Sequence, residues 1–237
     1  MTTAETTAFF THTWSVYDQI AEHNYISHRE IYAKVAELLR LRKDHTQYRL
    51  LDLGCGNARF LAPVLMLSPP AYYRGVDMSD TALEEARTYL AELPCAIELT
   101  HGDMLEAVES TDNKWDVIFT GFALHHLTTE EKARFFRAAG QCLSDRGWLL
   151  VVDIVREENQ SREDFLENYL RDMREGWSRI PPDQLEQACA HVAANDYPEN
   201  LSTMLEMAKS SGLNNSRVIA RYGQHHAVLF SRDVVSE

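Results

Sequence analysis

The chain has 237 residues, enough for one large domain or one domain with a sizeable insertion. Lys plus Arg number 23 against 36 for Asp plus Glu, a formal net charge of −13, which argues against gripping a nucleic-acid backbone. The four cysteines (Cys55, Cys95, Cys142, Cys189) are scattered without a CxxC pair, so reduced thiols in a cytoplasmic protein are expected rather than disulfides or a zinc site. A hydrophobic fraction of 45% suits an ordinary core. No basic-then-apolar leader opens the chain and no apolar run reaches membrane-spanning length, so no targeting and no membrane partner are expected.

In chain order, Phe9, Phe10 and Trp14 read as helix-to-core packing, whereas Tyr17, Tyr25 and His28 each carry a polar tip. Ile31, Val35, Leu38 and Leu39 recur at helical spacing within 25–41. Arg49–Phe60, RLLDLGCGNARF, is a strand that breaks into Gly54, Cys55 and Gly56 and then turns helical. Glycines there let backbone approach a nucleotide-like ligand, and a helix N-terminus offers N–H donors. Tyr72–Asp77 is a second strand ending in an acid, placed where a ribose diol can donate to one carboxylate, with a helix start at Ser79–Asp80. A third strand, Ile97–Thr100, leads to Asp103, and the apolar WDVIFTGFALHHL is a fourth, buried on both faces. A helix over Thr129–Leu143, with Thr129 as cap, precedes a fifth strand over Trp148–Val155 that bears Asp153.

From Arg156 the period becomes helical, with predicted helices at 161–178, 182–194 and 200–211 broken at Pro181–Pro182 and Tyr197–Pro198. Ser216–Tyr222 and His226–Arg232 flank Gly223 as an antiparallel hairpin. The succession predicts an α/β fold with an open doubly wound sheet, whose ligands sit beyond the strands' carboxyl ends. One domain over 1–237 is expected, with an N-terminal helical lid at 1–45, a core at 46–156, a helical cap at 157–199, and a last helix and hairpin at 200–237.

LLDLGCGNARF, YRGVDMS, HGDML and WDVIFTGFALHHL, in this order and spacing, resemble the signature motifs of the class I S-adenosylmethionine-dependent methyltransferases over roughly 48–155. The third glycine of the family's first motif is here Ala58. YDQIAEHNYISHRE and HVAANDYPEN look like small-molecule members, so the resemblance implies a Rossmann-like, mostly parallel seven-stranded sheet and S-adenosyl-L-methionine as cofactor. It also implies that Asp52, Gly54, Cys55, Gly56 and Asn57 hold the methionine part and that Asp77 takes the ribose hydroxyls, with Met78 on the adenine. Asp103 is implied to accept from the adenine amino group beside Met104, and Thr120 and Gly121 to lie near the sulfur.

Methyl transfer from a sulfonium is an in-line displacement that asks the protein to position the acceptor, exclude water and, for a protonated nucleophile, remove a proton. Tyr17 is the candidate for contact with the sulfonium, and His125 or His28 for the base. Tyr25, His28, Arg29, His125, Trp177, His191 and Tyr197 are candidate acceptor contacts from lid and cap. His225–His226 reads as a surface or strand pair, and with no helical i, i+4 histidine pair backed by an acid no metal is expected. The leading expectation is methyl transfer to an oxygen, nitrogen or sulfur of a small molecule. An enzyme that cyclises, cleaves or otherwise converts the cofactor itself, and a non-catalytic cofactor-binding partner, remain open, as does a homodimer.

Overall fold

The computed structural model describes residues 16–42 and 48–233; Phe9, Phe10 and Trp14 lie outside them. The helices are α1 (16–22), α2 (His28–Leu39), α3 (Leu61–Leu67), α4 (Asp80–Leu90), α5 (Met104–Glu109), α6 (Thr129–Cys142), α7 (Arg162–Gly176), α8 (Pro182–Asn195) and α9 (Leu201–Ser210). The strands are β1 (Arg49–Leu53), β2 (Tyr72–Asp77), β3 (Ala96–His101), β4 (Trp115–Gly121), β5 (Leu143–Arg156), β6 (Glu199–Asn200), β7 (Asn215–Tyr222) and β8 (His225–Ser231). None of the described helices is long and apolar enough to cross a membrane.

The main sheet runs β3-β2-β1-β4-β5-β8-β7. Its first five strands are parallel, and β8 lies antiparallel between β5 and β7. This is the doubly wound sheet with a reversed terminal pair that the motif order predicts. One strand goes beyond the predicted seven: β6, two residues long, pairs with the end of β5 through Val155 and Glu199. Two residues are too few for any periodic signal, so β6 is legible only from its partner.

Strand alternation divides the core into two layers. Leu50, Val117, Phe119, Leu150 and Val152 face α2, α3 and the α7–α8 pair, while Leu51, Leu53, Ile118, Leu149 and Val151 face α5, α6 and α9. The helices start where side chains can satisfy their first N–H groups. Ser79 Oγ accepts from Ala82 N on α4, and Asn200 caps α9. On α6 the cap is Thr128, in a reciprocal capping box with Glu131, rather than the predicted Thr129. The Thr129 hydroxyl instead donates to Glu199. The helix expected from residue 57 begins only at Leu61, because Asn57–Phe60 are spent on a turn with Ala58 in the left-handed region at φ 57°.

Candidate active site

A cleft of about 490 Å³ opens beyond the carboxyl ends of β1, β2, β3 and β4. At one end its wall is bare backbone from Gly54, Gly56, Gly102 and Gly121. Glycine is required at Gly54, where φ is +71° and a Cβ would lie 2.5 Å from Ala123 Cβ. The N–H groups of this turn are already engaged: Gly54 and Cys55 donate to Val76 O at 2.9 and 3.0 Å, and Gly56 to Asp77 Oδ2 at 2.8 Å. The turn therefore contributes space and shape, not the free helix N–H donors expected of it.

Asp77 ends β2 and also accepts from Ser79 N through Oδ1 at 2.8 Å, so backbone donors aim both of its oxygens. Burial raises its pKa, and the N–H donors of Ser79 and Gly56 oppose that shift. Ser79, not Asp77, caps α4, which leaves Asp77 to face the cleft. Asp103 lines the cleft as well, although its Oδ1 caps α5 by accepting from Leu105 N and Glu106 N at 2.8 and 2.9 Å. Met78 and Met104 lie against the same space.

The other end is assembled from distant segments. β4 leaves the sheet through Phe122, held at φ 54° with its N–H on Val152 O at 2.7 Å. A 3-10 turn, Leu124–His126, follows. His125 donates its backbone N–H to Asp153 Oδ2 at 2.8 Å, and its Nδ1 lies 2.5 Å from Asp153 Oδ1. Its Nε2 lies 3.8 Å from Asp196 Oδ2, and His126 Nδ1 lies 3.5 Å from Asp196 Oδ1. Burial alone lowers the His125 pKa, but the Asp153 and Asp196 carboxylates outweigh it and lift it to about 9. Burial in turn raises Asp196 to about 6. Tyr169 and Trp177 from the α7 side, and His191, Val192 and Tyr197 from α8 and beyond, close this end.

The segment 196–199 is tied down along its length. Tyr197 N donates to His125 O at 2.7 Å, Arg162 Nε to Asp196 O at 2.7 Å, and Arg156 Nε to Pro198 O at 3.0 Å. The buried Lys132 donates to Leu127 O and Tyr197 O, which joins α6 to the same segment.

The cleft brings together Tyr17, Gly54, Gly56, Asn57, Asp77, Met78, Asp103, Met104, Gly121, His125, Trp177, His191 and Tyr197 among the residues expected at the site. Others lie elsewhere, for physical reasons. Asp52 shares the alternation of Leu50, so its carboxylate enters the apolar layer, 2% exposed, and accepts from Tyr73 Oη at 2.7 Å. Cys55 is turned toward β2, where its Sγ lies 2.9 Å from the Cβ position of Gly75. Thr120 is fully buried and off the cleft, its Oγ1 without a hydrogen bond.

His28 is also fully buried, stacked on Phe60 at 4.3 Å, with its Nε2 3.1 Å from Tyr17 Oη. Burial lowers its pKa to about 3, and its ring lies behind the cleft residue Tyr17 rather than among the residues that line the cleft. Tyr25 stacks on Trp177 at 5.3 Å from outside the cleft, and its Oη accepts from Arg179 N. Arg29 is exposed and donates to Glu22 O. The histidine pair of the hairpin is a strand pair, as one of the two expectations had it: it opens β8 and is buried rather than superficial, with His225 Nε2 3.1 Å from Tyr169 Oη. The cleft also uses Phe122, Tyr169 and Asp196, which the sequence analysis does not single out. A left-handed Phe and a partner 71 residues away leave no local pattern.

The first end suits S-adenosylmethionine: a carboxylate aimed by backbone donors fits a diol, a second acid fits an amino donor, and thioethers flank a flat base. Comparison with known proteins agrees. Residues 50–147 match the family described as methyltransferase domain. An uncharacterized methyltransferase of Staphylococcus carnosus is 24% identical over 153 residues, 65% of this chain and 70% of that protein. Among solved structures, magnesium protoporphyrin IX methyltransferase from Synechocystis PCC 6803 superposes with a TM-score of 0.66 at 12% identity, over 98% of this chain and 99% of that one. Mitomycin 7-O-methyltransferase gives 0.58 at 17% identity, over 93% and 60%. Residues 50–147 thus carry a methyltransferase domain, on the fold shared with S-adenosylmethionine-dependent methyltransferases of solved structure.

Proposed function

We propose that the protein transfers the methyl group of S-adenosylmethionine to an oxygen, nitrogen or sulfur of a small molecule seated between His125 and Trp177. The observation that carries this reading is the continuity of the cleft. One cavity is lined at one end by Asp77 and Asp103 and at the other by Tyr169, Trp177, His191 and Tyr197, which leaves room for a compact acceptor under a helical roof. In this reading Asp77 holds the ribose hydroxyls, Asp103 the adenine amino group and Tyr17 the sulfonium end. The structural neighbours with small-molecule names add support through their shared fold.

The cofactor supplies an already activated methyl group, so the chain's own residues act by placement and desolvation. His125 does not stand ready as a base. Its Nδ1 is engaged by Asp153, and flanking carboxylates hold its proton up to about pH 9. The acceptor is oriented by the aromatic walls and kept dry by the roof. The test is incubation with S-adenosylmethionine, with and without a mixed pool of metabolites, followed by mass spectrometry. Acceptor-dependent formation of S-adenosylhomocysteine and a methylated product is the expected result. Rapid conversion of the cofactor without any acceptor would overturn methyl transfer in favour of an enzyme that acts on the cofactor itself.

A further inference from the structure

We propose that His125, His126 and Asp196 form a site for a divalent first-row transition ion, held by two imidazoles and one carboxylate at the roofed end of the cleft. The three side chains each offer one ligand atom, all within 4.8 Å of one another. Metal bonds of about 2.0–2.2 Å put neighbouring ligand atoms roughly 3–3.5 Å apart. The 3.5 Å from His126 Nδ1 to Asp196 Oδ1 already meets that; His125 Nε2 lies 3.8 Å from the other oxygen, Oδ2, and the remaining separations, up to 4.8 Å, close by rotation of the rings and the carboxylate.

Two further observations point to a cation. Asp153 accepts from the backbone N–H of His125 and sits 2.5 Å from its Nδ1. This carboxylate–imidazole arrangement is the one that orients a metal-ligating histidine and presents its other nitrogen to the ion. Asp196 is 3% exposed, and its Oδ1 is a buried carboxylate oxygen with no hydrogen bond. Such an oxygen is costly unless a positive partner meets it.

The donor set of two nitrogens and one oxygen suits zinc, iron, cobalt or nickel better than magnesium or calcium, which prefer oxygen alone. Sequence spacing hides this site because its ligands are adjacent histidines on a 3-10 turn and an acid from beyond α8, not an i, i+4 pair on one helix. The bond from Tyr197 N to His125 O holds the two segments together before any ion binds, and Arg162 on α7 steadies Asp196 through its carbonyl oxygen. That the open coordination positions face a methyl acceptor rests on the proposed function; uptake of the ion does not.

The full-length protein, stripped with a chelator, is titrated with Co²⁺ and followed by visible ligand-field absorption and by metal analysis after gel filtration. One equivalent with imidazole-type absorption is expected, together with a rise in the melting temperature of the wild type. His126→Ala and Asp196→Asn should each weaken uptake at least tenfold, and Asp153→Asn about 10–100-fold through the His125 ring. Asp77→Ala, at the far end, should bind Co²⁺ as the wild type does, so a failure of the cofactor reading stays distinguishable from a failure of this one. No uptake by the stripped wild type overturns the site and leaves an imidazolium between two carboxylates. So does uptake that His126→Ala and Asp196→Asn leave unchanged.

Discussion

The two ends of the cleft are built by opposite means. At the end formed by Gly54, Asp77 and Asp103, each functional group is set by backbone within a few residues or by the neighbouring strand. Asp77 is aimed by Ser79 N and Gly56 N, Asp103 by Leu105 N and Glu106 N. At the end formed by His125 and Asp196, Asp153 reaches His125 from the neighbouring strand 28 residues on, whereas Asp196 is 71 residues away and reaches it only because α7, α8 and β6 fold back over β5. Strand-tip geometry can be shared widely among chains with this sheet, whereas a constellation closed by an excursion belongs to the particular excursion. The methyl donor is therefore read from the first end, and the proposed function assigns acceptor choice to the second.

The largest expected effect tests the long-range end. Asp153→Ala removes the acceptor of three bonds, from His125 N, His125 Nδ1 and Ile154 N. Breaking a buried pair of this kind costs about 3–5 kcal/mol. Urea melts should show a stability loss of that order, with cofactor affinity in the surviving folded protein within about twofold of wild type, since every bond lost lies at the far end. Cofactor affinity falling in parallel with stability would erase the distinction between the two ends.

The short-range end answers to Asp77→Ala. Two hydrogen bonds to a charged acceptor at about 1.5 kcal/mol each predict a loss of roughly 100-fold in cofactor affinity by calorimetry. Part of that loss comes from releasing the Gly56 N–H that Asp77 steadies. Unchanged affinity would refute the assignment of Asp77 to the ribose.

These two sets of residues were unequally legible. Asp77 and Asp103 stand out in the sequence because a strand, an acid and a helix start follow one another in a fixed short order. The doubly wound sheet is legible for the same reason, as is the reversed hairpin around Gly223. Asp52 sits in the same motif and misleads, since alternation along β1 sends it into the apolar layer beside Tyr73. His28 misleads in the same way: its polar tip suggests a cleft residue, yet it stacks against Phe60 behind Tyr17. Asp196 could not be singled out, because its role depends on which helix ends meet over β5.

Asp52 also provides a pH test that separates a buried carboxylate with one donor from Asp153 with three. Burial raises its pKa to about 7, and the Tyr73 hydroxyl only partly offsets the rise. The folded state thus prefers the protonated acid. Its contribution to stability is full below the unfolded value near 4 and declines as pH rises from about 4 to about 7. The slope from one such group is at most about 1.4 kcal/mol per pH unit. Asp52→Asn keeps an oxygen for the Tyr73 hydroxyl and cannot ionise, so its unfolding free energy should lack that decline. Identical pH profiles for wild type and variant would show that Asp52 ionises as freely when folded as when unfolded.

The smallest effect concerns Ala58, where the first motif of the family has glycine. Its φ of 57° is left-handed, which costs a residue with a Cβ about 1–2 kcal/mol. Glycine would relieve that strain, but it would also free the unfolded chain by about 0.4–1 kcal/mol. It would further strip a 5% exposed methyl from the layer beneath α3, at about 0.8 kcal/mol. These contributions nearly cancel, so Ala58→Gly should move the unfolding free energy by less than about 1 kcal/mol and leave cofactor affinity unchanged. Ala58→Val, which adds β-branching to the same backbone angle, should be clearly destabilising. A large gain for Ala58→Gly would mean that the methyl makes no useful contact, and that the turn is held in shape by Gly54 and Gly56 alone.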